Sequence, residues 1–430
     1  MPRTKCGGRN AADHTVRIVG YSSINGLWKD APSSRWDEKA GLPRDALSSR
    51  MNHALNGAME RRPAMRKDSI RIRNGKGTWK GKQLTIGMDL GDRTSRYCVL
   101  DQEGEVLFEG SAATTQKGLS EAFDALPPSR VAIETGQHSP WVSRHLSGLG
   151  HEVIVAHAQK VRLIGESTRK DDRLDAKTLA RLARIDPALL SPVRHRSAEA
   201  QAHLTRIRAR AVLVGARTAL VNAIRGLTKA YGERLRKCHP EQIRKELAAE
   251  LSSELRTALE PLFQEVQSLT ERIQHYDREI EKIAKQHYPE VARLQQVNGV
   301  GTLIALTYVL TVDDPHRFGK SRDLGCYIGL RPGRRNSGNS QPQLHISKQG
   351  NRYLRTMMVQ GAHYILGPFG KDSDLRRWGL KLAQRGGRNA KKRALVAVAR
   401  KLAVLLHKLW VSGEVYEPLR NHRENERAAA

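Results

Sequence analysis

The chain has 430 residues, and its 74 Lys and Arg residues outnumber its 44 Asp and Glu residues, which gives a formal net charge of +30. So basic a balance excludes acidic small molecules as the sole explanation of function and indicates a nucleic-acid partner. No apolar run reaches the roughly 18 residues that indicate a membrane-spanning helix, and the start MPRTKCGGRN lacks the apolar core of a secretory signal, so we expect a cytoplasmic protein without a membrane partner.

Residues 1–80 are rich in Arg, Lys, Gly, Ser and Asn and carry no sustained period of 2 or 3.6. Such a segment defines no face that a strand or a helix could bury. We therefore predict a disordered basic leader, 1–80, ahead of the first folded domain.

Order begins with three short β-rich runs separated by turn residues, which predict an antiparallel meander: LTIGMDL (84–90), RYCVLD (96–101) and EVLFEGSA (105–112). An amphipathic run follows, LSEAFDAL, and then two further strands with a helix between them: VAIET (131–135), WVSRHLSGL (141–149) and HEVIVA (151–156). Strands that alternate with helices after a meander predict an α/β layer fold, which we assign to residues 81–195.

The stretch KDDRLDAKTLARLAR (170–184) predicts a helix that ends at Asp186-Pro187. Its apolar residues recur at roughly helical spacing: Leu174, Leu179, Leu182 and Ala183. The first turn is acidic, with Asp171, Asp172 and Asp175, although the chain is basic. These carboxylates either cap the helix and offset its dipole or serve a site.

The middle of the chain, 196–290, predicts two long helices. Residues 199–232 form an Arg-rich helix whose arginines we expect to be exposed on several faces: Arg206, Arg208, Arg210, Arg217 and Arg225.

The next segment has apolar residues that step mostly by four and three: Leu251, Leu255, Leu259, Leu262, Val266, Leu269, Ile273, Tyr276, Ile280 and Ile283. This is a heptad seam, and it predicts an antiparallel hairpin or a coiled-coil dimer, with an amphipathic helix packed on its own chain as the alternative. We expect a homo-oligomer, a dimer or tetramer, with the seam facing a second subunit.

A compact, mainly helical domain is predicted for 291–415. It starts with VNGVGTLIALTYVL, which looks like a helix-hairpin-helix turn, and ends in two basic helices, 351–366 and 389–410. Between them lies the loop LRPGRRNSGNSQPQ (330–343). Residues 416–430 are expected to be a frayed tail.

Four acidic residues are candidate metal ligands. Asp89 and Glu134 end two predicted strands, and the carboxyl ends of strands are where open α/β sheets place their sites. A buried carboxylate there is costly unless a positive charge meets it. Asp172 and Asp175, about one helical turn apart, complete an oxygen-only set that suits Mg²⁺ or Mn²⁺. Two such ions can clamp the attacking and leaving oxygens of a phosphodiester. Taken singly, each acid could instead be a turn former or a cap.

Ser337 is a candidate nucleophile in the Gly- and Asn-rich loop. Basic residues surround it, and they could hold diester oxygens while the loop brings a hydroxyl to phosphorus: Arg331, Arg334, Arg335, His345, Lys348, Arg352 and Arg355. Read alone, RRNSGNS is more often a flexible basic turn, and the residues themselves do not favour Ser337 over Ser340 or Ser347.

The order of these residues resembles a known family. Asp89 in IGMDLG, Glu134 in AIETG, and Asp172 with Asp175 in K-x-D-x-x-D-A are similar to the DEDD transposases of the insertion-sequence 110 family. The similarity extends over residues 84–415, because VNGVGTLIAL, FGKSRDLGCYIGLRPGRRNSG and ISKQGNRYLRTMMVQGA look like that family's C-terminal domain. The chain departs from the family at AHAQ, where Asn-Pro is common, and in its leader.

The resemblance implies an α/β ribonuclease-H-like or RuvC-like N-terminal domain, a helical and coiled-coil middle, and a mainly α C-terminal serine domain. It implies that the four carboxylates hold Mg²⁺, that Ser337 attacks DNA covalently, and that a structured bridge RNA selects the DNA partners. The protein would then be associated with the nucleoid when it is bound to DNA. From the distribution of charge we predict these nucleic-acid contacts: Arg206, Arg210, Arg217, Arg331, Arg334, Arg335, Lys348, Arg352 and Arg355.

Two other functions fit part of the same pattern. A RuvC-like junction nuclease would use the four acids, a metal and water, and would not need Ser337. A non-catalytic nucleic-acid-binding protein would keep the acids for structure and would show no dependence on divalent metal.

Overall fold

A computed structural model describes residues 83–158, 172–243, 245–342 and 344–421. The predicted leader, Asp171 and the last part of the predicted tail lie outside these residues, and the side chain of Asp172 is also outside the description.

The N-terminal part of the described chain is built on a five-stranded mixed sheet with the strand order β3-β2-β1-β4-β5. Its strands are β1 (Thr85–Asp89), β2 (Thr94–Leu100), β3 (Val106–Ala113), β4 (Arg130–Glu134) and β5 (Glu152–Ala156). The first three form an antiparallel meander, whereas β4 lies parallel to β1 and β5 lies parallel to β4. The predicted meander and both later strands are confirmed.

Helices cover both faces of this sheet. They are α1 (Gln116–Phe123), α2 (Ser139–Gly148) and α3 (Asp172–Ile185). Buried residues of α1 and α2 pack with Ile86 and Met88 of β1, while α3 lies against Gly87. Alternate residues of a strand point to opposite faces, so α3 occupies the face opposite to α1 and α2. This arrangement is consistent with the predicted ribonuclease-H-like domain.

The contact between α3 and the sheet differs in detail from the prediction. Leu174 is 48% exposed, whereas Ala176 and Ala180 are buried against β1 and β2. The predicted apolar stripe is therefore wrong at Leu174, because small side chains form the close contact and periodicity of large apolar residues does not reveal it. Leu179, Leu182 and Ala183 are buried as predicted.

Two long helices, α4 (Ala198–Ala230) and α5 (Ser253–His287), form an antiparallel hairpin. Its direction follows from contacts at both ends, because His203 bonds with Tyr288 while Val221 and Ile224 share a core with Phe263. The apolar seam of α5 is buried at Leu255, Leu259, Val266, Leu269, Ile273 and Ile280. The seam thus forms the intrachain hairpin, and our expectation that it faces a second subunit is wrong because α4 covers it.

The remaining helices make the C-terminal domain. They are α6 (Glu290–Leu294), α7 (Thr302–Val312), α8 (Asp323–Tyr327), α9 (Arg352–Leu366), α10 (Asp374–Ala383) and α11 (Ala390–Ser412). Tyr308 of α7 is fully buried and donates to Ala403 O of α11 at 2.8 Å. The mainly helical C-terminal domain is confirmed in this part of the chain. The exact domain boundaries stay predictions. None of the helices described is long and apolar enough to cross a bilayer.

Candidate active site and nucleic-acid interface

The two strand-end carboxylates leave the sheet side by side. Asp89 is the last residue of β1 and Glu134 the last residue of β4, and both are half-buried. The parallel register pairs Met88 with Ile133, one residue before each acid. Neighbouring strands lie about 4.8 Å apart, so the backbone brings Asp89 and Glu134 together at one end of the sheet.

Both acids also point to the face that carries α3. Asp89 is two residues after Gly87, which α3 contacts, and Glu134 is two residues after Ala132, which packs with Leu179 of α3. Residues two apart in a strand share a face.

The direction of α3 brings its acidic first turn to the same end. Arg130 at the start of β4 donates to Ala183 O at 3.3 Å, near the end of α3. Arg184 donates to Gln102 O at 3.1 Å, beyond the end of β2, which is antiparallel to β1. The carboxyl end of α3 therefore lies where β1 and β4 start, and its amino end lies where they finish. Asp172 and the exposed Asp175 belong to that first turn, at the same end of the sheet as Asp89 and Glu134.

The donor chemistry of this acidic end fits a hard cation, because every candidate ligand is a carboxylate. Among the side chains that the structure describes, no group of three or more His, Cys, Asp or Glu is arranged to hold a metal ion. Asp89, Glu134 and Asp175 are therefore not a finished ligand set by themselves. The side chain of Asp172 lies outside the description, so the predicted four-carboxylate set stays a prediction.

A histidine that the sequence reasoning missed joins the loops after the two strand ends. His138 Nε2 lies 3.3 Å from Asp92 Oδ1, and Trp141 Nε1 donates to His138 Nδ1 at 3.1 Å. Because Nδ1 accepts, Nε2 carries the proton and donates to the carboxylate. The link ties the turn after Asp89 to the loop after Glu134. A His three residues before a Trp, just after a strand-end acid, was the available signal.

Ser337 lies at the tip of an exposed hairpin. We call residues 331–347 the serine hairpin; residue 343 lies outside the description. Its base has a bridge between Pro332 and Ile346. At the tip, Ser337 N donates to Ser340 O at 3.2 Å and Ser340 N donates to Ser337 O at 3.0 Å. Gly338, the first of the two turn residues, has φ 52°, which suits a tight hairpin turn.

The serine hairpin is strongly basic. Arg331, Arg334, Arg335 and Lys348 are exposed, and no Asp or Glu occurs between Leu324 and Lys371. An exposed hydroxyl in a basic segment that carries no carboxylate of its own can approach a phosphate with little electrostatic repulsion. All four predicted contacts are exposed, and Arg352 is exposed at the start of α9.

Arg355, unlike the exposed arginines of the hairpin, is hydrogen-bonded to backbone carbonyl groups of its own chain. Its Nη1 donates to Ile328 O at 2.9 Å and to Gln349 O at 3.0 Å, which fastens the start of α9 to the base of the serine hairpin. Burial, with a smaller effect of Arg352, lowers the pKa of this guanidinium. These bonds give Arg355 a role in anchoring the hairpin, and its predicted contact with nucleic acid stays a prediction.

The arginines of α4 also divide into two groups. Arg206 and Arg208 are exposed as predicted. Arg210 forms an ion pair with Asp277 of α5 through two nitrogens, and the buried Arg217 donates to Glu241 Oε1 at 2.8 Å. Arg210 and Arg217 are therefore hairpin contacts in this structure, and their predicted contact with nucleic acid stays a prediction that these bonds do not favour. A buried guanidinium needs hydrogen-bond acceptors, which the chain itself supplies here.

Together, the fold and the site define an α/β domain with a mixed five-stranded sheet and an acidic sheet end, joined through a helical hairpin to a helical domain that carries a basic serine hairpin. Family comparisons agree with this division. The DEDD transposase family of IS110, described as a transposase, matches residues 86–232. The family described as "Transposase IS116/IS110/IS902 family" matches residues 291–374.

Similar proteins cover most of the chain. The transposase for insertion sequence element IS1111A of Coxiella burnetii is 33% identical over 339 residues, 77% of this chain and 90% of that protein. A probable family 20 transposase of Pseudomonas aeruginosa is 30% identical over 341 residues, 77% of this chain and 98% of that protein. The transposase for IS1328 of Yersinia enterocolitica is 28% identical over 292 residues, 65% of this chain and 83% of that protein. The chain belongs to the IS110 family of transposases, and its enzyme class is DNA transposase.

Proposed function

We propose that the protein exchanges DNA strands through two site halves, the acidic sheet end and Ser337. The observation that carries the proposal is the topology: β1 and β4 finish side by side, and α3 begins at the same end. This topology supports a site formed by acids from three elements. The exposed hydroxyl in an acid-free basic hairpin supports the second half.

The first half would hold Mg²⁺ or Mn²⁺ through Asp89, Glu134, Asp172 and Asp175. When bound, the ions supply positive charge to the attacking and leaving oxygens of a phosphodiester. The protein's own contribution to the reaction is to hold the carboxylates in position. Asp89 and Glu134 sit on hydrogen-bonded strands, and the backbone of α3 rests directly on Gly87, so little side-chain ordering is needed when the site assembles.

The second half would supply the nucleophile. Ser337 Oγ forms a bond to phosphorus, the bond from phosphorus to one deoxyribose oxygen breaks, and that oxygen leaves as a hydroxyl. The serine proton passes through solvent to the leaving oxygen, so one phosphodiester replaces another and no external energy source is required. Arg334 and Arg335 can stabilise the added negative charge of the transition state. The reverse step joins the DNA to a new strand.

Two partner assignments complete the proposal. Family membership supports a structured bridge RNA that selects the DNA, and the exposed Arg206 and Arg208 offer it phosphate contacts. A homo-oligomer, a dimer or tetramer, is supported by apolar residues on the outer side of the α4–α5 hairpin. Val212, Leu227 and Tyr231 are 69%, 50% and 60% exposed.

The decisive experiment incubates the protein with its RNA, Mg²⁺ and target DNA, denatures the mixture, and looks for protein joined covalently to DNA. We expect a denaturation-resistant complex, because serine attack leaves a phosphodiester between protein and DNA. Cleaved DNA with a free phosphate and no such complex would establish the junction nuclease in its place. Binding without cleavage, and without dependence on Mg²⁺, would establish the non-catalytic protein.

A further inference from the structure

A short segment between the two halves of the molecule bonds to both of them. We call residues 194–197 the strap. On one side, His195 Nε2 lies 2.9 Å from Ser139 Oγ in α2. On the other side, Arg196 Nε donates to Thr311 O in α7 at 3.2 Å. Ser197 also donates to the Asp313 carboxylate, from N to Oδ2 and from Oγ to Oδ1, each at 3.2 Å.

On the sheet side, the strap reaches the loop that follows Glu134. Ser139 is fully buried, and its Oγ accepts from Gly136 N at 3.0 Å and donates to Gly136 O at 2.9 Å. Because the hydroxyl gives its one proton to Gly136 O, His195 Nε2 must be the donor in its bond to Ser139. His195 therefore holds a turn whose first residue is two positions after Glu134.

On the other side, the strap reaches the base of the serine hairpin. Thr311 O, the acceptor for Arg196, also accepts from Tyr327 OH at 3.3 Å. The backbone of Tyr327 lies against Gly350, where a Cβ would be 1.8 Å from Tyr327 O. Gly350 precedes Asn351, the N-cap of α9, and lies just beyond the serine hairpin. One acceptor thus connects the strap to the hairpin's base.

The charges around His195 favour its neutral form. Burial, and then the guanidiniums of Arg144, Arg196 and Arg317, lower the pKa of the imidazole. Arg317 also donates to Arg194 O at 3.3 Å, and Arg144 donates to Gln201 Oε1 at 3.0 Å. The bond from Arg317, together with those to Ser139, Thr311 and Asp313, holds the strap from several elements at once, so the strap is an ordered connection between the halves.

We propose that the strap couples the two halves of the candidate site, with His195 as a positioning residue that fixes the loop after Glu134 relative to the base of the serine hairpin. The functional part of this inference rests on the proposed function above. The structural part does not, because the coupling can be measured in the protein alone.

The test compares amide hydrogen exchange at two reporters in full-length protein: the loop 134–139, and the segment 327–331, which leads into the serine hairpin. Ser139→Ala removes the sheet-side bond to His195, and Arg196→Ala removes the bond to Thr311 O, the acceptor that is shared with Tyr327. We expect each variant to raise exchange at both reporters by about fivefold to tenfold, as for the loss of a hydrogen bond that holds a shared element. If each raises exchange only at its own reporter, the strap does not couple the halves.

Arg194→Ala is the matched control in the same segment. Its ion pair with Asp314 is exposed on the arginine side, where the side chain is 73% accessible, so we expect exchange at both reporters within about twofold of the wild type. If Ser139→Ala fails to fold, His195→Ala and His195→Gln replace it. Glutamine retains an N–H donor toward Ser139, and it should restore wild-type exchange while alanine does not.

A functional readout separates positioning from folding. Ser139→Ala and Arg196→Ala should slow formation of the covalent complex by about 10- to 100-fold, as losses of supporting contacts do, while DNA affinity is unchanged. If DNA affinity falls by the same factor as the rate of complex formation, the strap does not act as a positioning element. Absence of the complex in wild-type protein would reject the proposed chemistry, and the exchange measurements would still decide the coupling.

Discussion

Gly87 and Ala176 are in backbone contact: a Cβ at Gly87 would lie 2.0 Å from Ala176 O and 2.3 Å from Ala180 N. The first turn of α3, with Asp172 and Asp175, immediately precedes Ala176. The contact of Gly87 with Ala176 and Ala180 therefore also sets the distance between the acidic turn of α3 and the end of β1. Only glycine leaves room for a helix backbone this close to a strand.

The first prediction follows from that contact. Gly87→Ala should force α3 away from β1 and destabilise the protein by about 1–3 kcal/mol, as other overpacked sites do. Chemical denaturation measures the loss. Gly148→Ala, at the end of α2 where an added Cβ meets nothing within 4 Å, is the matched control and should leave stability within about 1 kcal/mol. Equal stability of both variants would contradict the close packing of α3.

The second prediction concerns the acidic end. Asp89→Asn and Asp172→Asn should each abolish the Mg²⁺-dependent formation of the covalent complex, because each removes a charged ligand. Asp171→Asn should retain much more activity than Asp172→Asn. Titration of Mg²⁺ in the exchange reaction checks both statements. If Asp171→Asn is instead the less active variant, Asp171 rather than Asp172 is the metal ligand.

The third prediction separates structural from nucleic-acid-binding arginines on α4. Arg217→Ala should destabilise the protein by about 1–3 kcal/mol, since a buried charged hydrogen-bond network is broken. Arg206→Ala should leave stability unchanged and weaken nucleic-acid binding, with the slope of log K against log salt reduced by about 1. Thermal unfolding and binding at several salt concentrations measure the two effects. An unchanged salt slope for Arg206→Ala would exclude that contact.

The contrast between these arginines shows what sequence patterns can reveal. The strands, α3, α4 and α5 were predictable because local period and turn residues determine them. Arg206 and Arg217 look alike in the sequence, and only Glu241 and Thr270, far along the chain, make Arg217 a buried contact. The strap was missed for the same reason: Ser139, His195 and Thr311 are far apart in the sequence, and only the folded chain brings them into contact through residues 194–197. For the acids, strand ends were a sufficient signal to place Asp89 beside Glu134.

The fourth prediction tests the intrachain hairpin. Phe263 is fully buried between α4 and α5, so Phe263→Ala should cost about 3–5 kcal/mol. The midpoint of unfolding should shift by the same amount at low and at high protein concentration, because the seam is closed within one chain. A loss of stability that grows on dilution would show that the seam is shared between subunits. Leu262→Ala, at a half-buried neighbouring position, should cost less.

The fifth prediction assigns the nucleophile within the serine hairpin. Three serines share its basic surface: Ser337 before the tight turn, Ser340 after it, and Ser347 at the base, where its N–H donates to Arg331 O at 2.9 Å. Ser337→Ala should eliminate the covalent protein–DNA complex, while Ser340→Ala and Ser347→Ala retain it. DNA affinity should change by no more than about fivefold in Ser337→Ala, because one hydroxyl adds little to an interface dominated by phosphate contacts. Denaturing electrophoresis with labelled DNA measures the complex, and peptide mapping locates the modified residue. If the complex persists in Ser337→Ala and disappears in Ser340→Ala, Ser340 is the nucleophile instead. The two serines are close enough for this, because their backbones are hydrogen-bonded to each other across the turn.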